Sequence, residues 1–239
     1  MINKSLVIIP TYNEAANISS LITEVIQLNP QVHILVVDDN SPDKTGDLVE
    51  RMADESGGSI FLLRRPGKQG LGRAYVAGFQ WGLERGYEIF AEMDADFSHR
   101  PRDLVKLLAA MMDHDFAVGS RWAEGGGTLN WSLIRKLISL GGSLYSRLIL
   151  GYPFRDWTGG FNIWKARVLR EIGLSEIFSE GYSFQIELKY RASSLGFKGV
   201  EVPILFDERR EGQSKMSSRI VLEALYRVWW IRFHSLRRS

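Results

Sequence analysis

Short apolar runs alternate with amphipathic segments through the first half of the chain. Five such runs predict strands that are buried on both faces, at residues 5–10, 33–37, 60–63, 89–93 and 116–119. Apolar residues at helical spacing predict helices between them, at residues 14–28, 45–54, 70–85 and 102–113. Because strands and helices alternate, the pattern predicts an α/β fold with a mostly parallel sheet flanked by helices.

The second half of the chain is richer in helical pattern. It predicts three helices and one strand, at residues 131–150, 181–195, 217–236 and 199–206 respectively. We expect the first of these helices to be broken or thinned at Gly141 and Gly142. No repeat, low-complexity tract or obvious linker interrupts the chain, so we expect a single domain over residues 1–239.

Polar clusters follow the ends of four predicted strands. They lie at residues 11–14, 38–39, 94–96 and 120–121. In open α/β sheets, ligands bind beyond the carboxyl ends of the strands. Four polar clusters on one edge of the sheet therefore predict a binding site at that edge.

Asp94 and Asp96 lie two residues apart at the end of an apolar strand. Two convergent carboxylates suit a hard divalent cation such as Mg²⁺, which also binds substrate phosphates. A solvated strand end is the alternative for this pair taken alone.

Asp38 and Asp39 end another strand, where carboxylates commonly accept hydrogen bonds from a ribose; capping of the following helix is compatible with that contact.

A basic, glycine-rich segment occupies residues 64–72. Its glycines let backbone N–H groups approach a phosphate at the start of a helix, although a tight turn would use the same residues. The spacing is not that of a P-loop, and Gly70-Leu71-Gly72 lacks the third glycine of the dinucleotide fingerprint. The segment therefore argues against a P-loop ATPase and a nicotinamide enzyme.

Four basic residues in the second half suggest phosphate binding when taken with the carboxylates. They are Arg121, Arg135, Arg209 and Lys215. Arg135 and Ser139 are one helical turn apart and share a face. Each basic residue taken singly is as readily explained as a solvated surface group.

The final helix carries paired Trp229 and Trp230 among arginines. This pattern suits a membrane interface, where indoles lie near head groups. A core helix with arginines extending outward explains it equally well.

The composition of the chain limits the classes of protein and the kinds of site that it can form. The chain has 239 residues, 45% hydrophobic and 24% charged, with a formal net charge of +2 and no cysteine. The mild charge does not predict nucleic-acid binding, and the absence of cysteine excludes disulfides and thiolate zinc sites. No apolar run approaches the roughly 18 residues of a membrane span, and no leader precedes the first strand. We expect a cytoplasmic protein, free or peripheral to the cytosolic face of a membrane.

Several ordered motifs resemble family 2 glycosyltransferases of the GT-A fold. They are Pro10-Thr11-Tyr12-Asn13-Glu14, Val37-Asp38-Asp39-Asn40-Ser41-Pro42-Asp43, Gly70-Leu71-Gly72-Arg73-Ala74-Tyr75 and Met93-Asp94-Ala95-Asp96-Phe97-Ser98-His99. Further motifs are similar to the dolichol-phosphate (polyprenol-phosphate) mannosyltransferases. They are Gly119-Ser120-Arg121, Asp156-Trp157-Thr158-Gly159-Gly160-Phe161, Gly181-Tyr182-Ser183-Phe184-Gln185-Ile186-Glu187, Glu201-Val202-Pro203-Ile204 and the segment from Arg209 to Lys215.

The resemblance implies inverting, metal-dependent transfer of mannose from GDP-mannose to a dolichyl or polyprenyl phosphate. It implies a nucleotide-sugar half over residues 1–120, an acceptor half over 121–215 and an amphipathic C-terminal helix over 216–239. It assigns the donor to Pro10, Tyr12, Glu14, Val37, Asp39, Lys68, Asp94, Ala95 and Asp96. It assigns the acceptor phosphate to Arg121, Arg135, Ser139, Arg209 and Lys215.

The same resemblance implies that Asp94 and Asp96 hold Mg²⁺ or Mn²⁺, and that Asp96 and Arg121 are catalytic. A phosphate acceptor is already an anion near neutral pH, so the reaction needs no strong general base. Three alternatives stay open: a UDP-glucose or other UDP-sugar donor, transfer to a hydroxyl acceptor, and a non-catalytic nucleotide-binding subunit. The expected partners are the nucleotide sugar, the lipid phosphate and the membrane surface; a small membrane-protein subunit stays open.

Overall fold

The computed structural model describes residues 4–179, 181–208 and 218–234, without the side chains of Tyr182 and residues 218–225. Within these residues, nine strands form two sheets: β1 (Ser5–Thr11), β2 (Val32–Asp38), β3 (Ile60–Arg64), β4 (Ile89–Glu92), β5 (Phe116–Ser120), β6 (Gly127–Thr128), β7 (Asn162–Lys165), β8 (Gly199–Pro203) and β9 (Leu205–Phe206). The described helices are α1 (Ile18–Leu28), α2 (Thr45–Glu55), α3 (Leu71–Glu84), α4 (Pro101–Ala110), α5 (Leu133–Leu150), α6 (Ala166–Glu171), α7 (Tyr182–Ser194) and α8 (Ser218–His234).

The main sheet has seven strands in the order β3-β2-β1-β4-β7-β5-β8. Every neighbouring pair is parallel except those made by β7, which runs antiparallel to both β4 and β5. Along the chain, β2 and β3 are added on one side of β1, and β4 then pairs on its other side, which makes a topological switch point at β1. The mostly parallel α/β sheet predicted from the sequence is confirmed.

Side chains that alternate along β1 enter two different cores. Leu6 and Ile8 belong to one buried cluster, whereas Val7 and Ile9 belong to another. The first cluster includes residues of α3, α6, α7 and α8, and the second includes residues of α1, α2 and α4. Because successive strand residues point to opposite faces, one apolar strand holds a helical layer on each side.

Glycines bring α3 close to the centre of the sheet. A Cβ added at Gly78 would lie 2.7 Å from Ile8 Cγ2, and one at Gly82 would lie 2.4 Å from Phe90 Cε1. Both distances are shorter than real contacts, so only glycine lets the helix approach this closely. The close approach places the first turn of α3 near the ends of β1 and β4.

Several elements differ from the sequence pattern. The helix expected to break at Gly141 and Gly142 is continuous through both residues. A continuous backbone hydrogen-bond ladder tolerates two glycines, since each weakens a helix by only about 1 kcal/mol. The strand expected over residues 199–206 is divided into β8 and β9, and β9 pairs with β6 rather than with the main sheet. The short β6, β7 and α6 have no periodic signal of their own.

Candidate active site

The strands β1, β2 and β4 run parallel, and β5 has the same direction because the strand between it and β4, β7, is antiparallel to both. The carboxyl ends of β1, β2, β4 and β5 therefore lie on one edge of the sheet. Each of these strands is followed by one of the predicted polar clusters. The tertiary structure thus brings together segments that lie far apart along the chain. This edge is the candidate active site.

The predicted donor side contains two cation contacts between different loops. Lys68 Nζ lies 4.3 Å from the centre of the Tyr12 ring, and Arg65 Nη1 lies 2.9 Å from Asp39 Oδ1. Tyr12 is 39% exposed, whereas Asp39 is buried. Burial raises the pKa of Asp39, and Arg65 opposes that shift.

The other predicted donor residues lie beside or beneath these loops. Pro10 and Glu14 are half-buried, and Glu14 N donates to Thr45 Oγ1 at 3.0 Å. The Val37 side chain is completely buried in the core that contains α3. Only the backbone of Val37 is therefore placed to face a nucleotide.

Asp38 is fully engaged within the protein. Its carboxylate accepts from Thr11 Oγ1 at 2.8 Å, from Ser41 N at 3.0 Å and from Ser41 Oγ at 2.6 Å. Asp43 accepts from the backbone and hydroxyl of Thr45, the first residue of α2. The bonds of Asp43 support its capping of α2, whereas those of Asp38 join the ends of β1 and β2 to Ser41. Asp39 is the carboxylate that lies against Arg65 of the basic segment.

The loop after β4 is held by its own side chains. Asp96 Oδ1 accepts from Ser98 N at 3.0 Å, and Asp94 N donates to His99 Nδ1 at 3.0 Å. Ala95 and Asp96 are buried, while the Asp94 side chain is 28% exposed. Tyr75 on α3 donates to Asp94 Oδ1 at 3.4 Å, and burial raises the pKa of Tyr75 well above its usual range, so it stays a donor. We refer to residues 94–99 as the carboxylate loop.

The donor chemistry of the carboxylate loop fits a hard divalent cation. Asp94 and Asp96 supply carboxylate oxygens, which Mg²⁺ and Mn²⁺ accept together with water and substrate phosphate oxygens. In the part of the chain that the structure describes, no group of three or more His, Cys, Asp or Glu residues could hold a metal ion. A cation here would therefore need further oxygen ligands from a substrate or water.

Arg121 follows β5 and is held by a buried carboxylate. Arg121 Nε donates to Asp156 Oδ2 and Nη2 donates to Asp156 Oδ1, both at 2.7 Å. Its backbone N–H also donates to Asp156 Oδ2 at 2.9 Å, and Nη2 reaches Thr158 Oγ1 at 2.8 Å. The adjacent guanidinium holds the pKa of Asp156 below its usual range despite complete burial. The fork of the guanidinium is thus fixed in one orientation.

Aromatic rings join Arg121 to Arg135 and to the carboxylate loop. The Cζ atoms of Arg121 and Arg135 lie 5.3 and 3.9 Å from the Trp131 ring centre. Phe206 lies 5.5 Å from Arg121 Cζ and 5.4 Å from the ring of His99. Two predicted phosphate-binding arginines therefore share one indole, and a single ring separates one of them from the carboxylate loop.

Ser139 joins the same cluster through α5. Its Oγ lies 3.5 Å from Thr158 Oγ1, the hydroxyl that accepts from Arg121. The structure therefore brings together three of the five predicted acceptor residues. The other two, Arg209 and Lys215, lie outside the described residues.

Several residues of this cluster were not predicted as site residues. Asp156, Thr158, Trp131 and Phe206 contact Arg121 or Arg135 directly. Asp156 and Thr158 belong to a motif that was noted in the sequence, but Trp131 was assigned to a helix and Phe206 to a strand. No local pattern relates residues that meet only through the fold.

Two further buried charges lie beneath the site. Glu92 on β4 accepts from Trp164 Nε1 at 2.5 Å and from Gln185, and burial raises its pKa to about 7. Lys189 on α7 is also completely buried, and burial lowers its pKa to about 8. Neither group was singled out from the sequence.

Comparison with known proteins agrees with this geometry. A model of glycosyl transferase family 2 matches residues 6–178. The chain belongs to glycosyltransferase family 2. It is 47% identical over 232 residues to a polyprenol monophosphomannose synthase of Mycolicibacterium smegmatis, covering 96% of this chain and 88% of the relative. It is 48% identical over 223 residues to an undecaprenyl-phosphate mannosyltransferase of Micrococcus luteus, covering 93% and 91%.

Solved structures support the family 2 fold. Glucosyl-3-phosphoglycerate synthase from Mycobacterium tuberculosis, in complex with phosphoglyceric acid, superimposes with a TM-score of 0.69 at 17% identity. That comparison covers 96% of this chain and 80% of the other. The same synthase in complex with Mn²⁺, uridine diphosphate and glucosyl-3-phosphoglycerate gives a TM-score of 0.68 at 19% identity, covering 96% and 81%. At these identities the likeness shows the fold alone, and it confirms the GT-A class of this family 2 glycosyltransferase.

Proposed function

We propose that this family 2 glycosyltransferase transfers mannose from GDP-mannose to a polyprenyl phosphate. The observation that carries the proposal is the cluster of Arg121 and Arg135 on Trp131, next to the carboxylate loop. One side offers carboxylates for a metal-bound diphosphate, and the other offers two guanidiniums for a second phosphate. The names of the two bacterial relatives, a polyprenol monophosphomannose synthase and an undecaprenyl-phosphate mannosyltransferase, support the same lipid acceptor and sugar.

The arrangement suits an acceptor that is already charged. A phosphate monoester has its second pKa near 6, so its oxygen is a nucleophile near neutral pH without a strong base. In the proposed step, a phosphate oxygen bonds to the anomeric carbon while the bond from that carbon to the nucleoside diphosphate breaks. Arg121 and Arg135 would hold the acceptor anion and reduce its repulsion with the donor phosphates. Attack from the side opposite the leaving group inverts the anomeric configuration.

Asp94 and Asp96 are the residues that would hold Mg²⁺ or Mn²⁺ on the donor side. When bound, such an ion would neutralise the diphosphate that leaves. Tyr12 and Lys68 would contact the nucleoside, since they face each other at the mouth of the neighbouring loops. Asp96 is buried beside the reacting centre of this scheme and is assigned to the metal first.

The lipid acceptor requires a surface that meets a membrane, and α5 offers one. Five large apolar side chains on α5 are 57% to 77% exposed: Leu133, Ile134, Leu137, Leu144 and Leu148. A contiguous exposed apolar surface of this kind typically marks a contact with another phase or protein. Arg135 and Ser139 lie on the same helix and face the candidate site. The helix would therefore bring the lipid phosphate to Arg135 while its leucines meet acyl chains.

The last helix contributes less than its sequence suggests. Val228 and Ile231 are buried, and Trp230 packs on Phe178 with ring centres 3.9 Å apart. Trp229 and Phe233 are 48% and 61% exposed and extend the apolar surface, because α8 packs against α5. In the described residues, no helix combines the length and apolar character that crossing a bilayer requires. We propose peripheral attachment through α5, assisted by Trp229.

A radiolabelled transfer assay tests the reaction. Purified enzyme is supplied with GDP-mannose or UDP-glucose, with and without a short polyprenyl phosphate and with Mg²⁺, Mn²⁺ or chelator. We expect lipid-linked product only from GDP-mannose, with the lipid and a divalent ion present. Product formed with UDP-glucose but not with GDP-mannose would show that the donor is a UDP-sugar. Transfer that persists in the presence of chelator would contradict the metal assignment.

A matched pair of variants tests the membrane surface. Replacing Leu133, Leu137, Leu144 and Leu148 with serine should reduce binding to anionic liposomes and transfer to long-chain lipid. Transfer to a short, soluble acceptor should continue, because these side chains are exposed and lie outside the core. Met112→Ser is the control, since Met112 is 85% exposed just after α4. Equal liposome binding by the quadruple variant and the control would contradict the assignment.

A further inference from the structure

Lys189 on α7 is buried completely, and its ammonium group is surrounded by one loop. Lys189 Nζ donates to the carbonyl oxygens of Asp156 and Trp157 at 3.1 Å, and of Gly159 at 2.7 Å. An ammonium group has three N–H donors, so these three bonds use all of them. The backbone of residues 156–159 is thereby wrapped around a single cation.

The side chains of the same loop hold Arg121. Asp156 accepts both Nε and Nη2 of Arg121, and Thr158 accepts Nη2. Asp156 Oδ1 also accepts from Gly159 N at 2.9 Å, which closes the loop. The loop thus uses its carbonyl groups on Lys189 and its side chains on Arg121. Any change in the loop's orientation must also turn the guanidinium.

Lys189 supplies a donor to each of three buried carbonyl groups, and one of them, Gly159 O, also accepts from Asn162 Nδ2 at 3.3 Å. An apolar side chain on α7 would remove the Lys189 donor from Asp156 O and Trp157 O, and a buried polar group that loses its partner is destabilising. The charged groups that act on Nζ are Asp156, Glu92, Arg121 and Glu201. Burial nevertheless lowers the pKa of Lys189 to about 8. Burying an ammonium group costs free energy, and its three hydrogen bonds and the nearby carboxylates offset part of that cost.

We propose that Lys189 is a positioning residue, which fixes the loop of residues 156–159 so that Asp156 and Thr158 orient Arg121 toward the acceptor phosphate. The inference rests on the proposed role of Arg121 in acceptor binding. It assigns to α7 a part in acceptor recognition, although Lys189 itself contacts no substrate.

The test compares Lys189→Met with the wild-type enzyme and with Lys198→Met, a control at an exposed position. Methionine matches the length of lysine but has no donor. We expect the KM for a short polyprenyl phosphate to rise about tenfold, as for a loosened hydrogen bond to a charged group. Calorimetric affinity for GDP with Mg²⁺ should stay within about twofold, because the loop holds no donor-side residue.

Nuclear magnetic resonance gives a readout that does not depend on turnover. The Nε–H of Arg121, assigned from its loss in Arg121→Lys, should be protected from solvent exchange in the wild type. In Lys189→Met it should exchange at least about ten times faster, since the hydrogen bond to Asp156 opens more often. Lys189→Gln keeps two N–H donors and should show smaller changes in both readouts. This variant serves as the test if Lys189→Met does not fold.

The outcomes separate this inference from the proposed function. If Arg121→Lys leaves the acceptor KM unchanged, the proposed role of Arg121 is wrong. Lys189 then cannot act in acceptor binding by positioning Arg121. If Arg121→Lys raises the acceptor KM but the Lys189 variants change neither KM nor exchange at Arg121, the positioning role is overturned. A loss of GDP affinity equal to the loss of acceptor affinity, or a lower Tm with unchanged kinetics, also overturns it.

Discussion

The two carboxylates of the carboxylate loop are held partly by bonds within their own loop, whereas Arg121 is held by three segments further along the chain. Asp94 and Asp96 are bonded to His99 and Ser98 of their own loop. Arg121 contacts Asp156, Trp131 and Phe206, which lie 10 to 85 residues further along the chain. The carboxylate loop therefore combines bonds within the loop with one bond from Tyr75 of α3, whereas the Arg121 cluster is built from tertiary contacts. We therefore expect a substitution in the carboxylate loop to disturb fewer distant contacts than a substitution in the Arg121 cluster.

The largest effect is expected at the carboxylate loop. Asp94→Asn and Asp96→Asn should each reduce transfer about a hundredfold, or ~2.7 kcal/mol of transition-state stabilisation. Asparagine keeps an acceptor oxygen for Ser98 N, so the loop should stay folded. Steady-state kinetics with metal-stripped and reconstituted enzyme measure the loss, and Asp113→Asn, an exposed change after α4, is the control. Near-wild-type turnover in both variants would contradict the assignment of a metal ion to Asp94 and Asp96.

A pH series on unfolding examines the buried charge beneath the acceptor side. The folded pKa of Lys189, about 8, lies below its ordinary value of 10.5. Between these values the unfolded chain binds more protons, so this group makes the free energy of unfolding rise with pH. Wild type should gain about 2 kcal/mol over Lys189→Met between pH 8 and pH 10, measured by urea unfolding. Parallel curves for the two proteins would contradict the buried cation.

Arg135→Ala should separate the two substrates. The acceptor KM should rise about tenfold, which corresponds to ~1.4 kcal/mol, while affinity for GDP with metal stays unchanged. Arg135 lies on α5 and contacts Trp131 and Glu208, which belong to the second half of the chain. Initial rates with a short polyprenyl phosphate and calorimetry with GDP give the two numbers, with Arg170→Ala as the control. Loss of GDP affinity with an unchanged acceptor KM would assign Arg135 to the donor rather than to the acceptor.

Lys68→Met should have the smallest effect. The contact of Lys68 with Tyr12 is exposed, where a cation–π contact contributes about 0.5–1 kcal/mol. We expect the KM for the nucleotide sugar to rise about two- to fivefold with no change in the acceptor KM. Lys198→Met provides the matched control. An equal effect on both substrates would show that the donor side is less local than its contacts indicate.

Much of the fold and half of the site follow from sequence pattern. The apolar runs before residues 11, 38, 94 and 120 predict strands, and the polar residues after them predict a common edge. Asp94 and Asp96 were identifiable because two carboxylates directly after an apolar run are a local pattern. Trp131 and Phe206 were assigned to other elements, because short irregular segments such as β6 and β9 have no periodicity to read.

The sequence by itself determined the α/β alternation, the strand ends and the family, since each depends on local periodicity or on ordered motifs. Only the tertiary structure decided that the Asp156 carboxylate holds Arg121, that Lys189 lies under the same loop, and that most leucines of α5 stay exposed. The physical reason is that burial and pairing of charge depend on contacts between distant segments. A lysine or leucine in a helical pattern is otherwise equally consistent with surface or core.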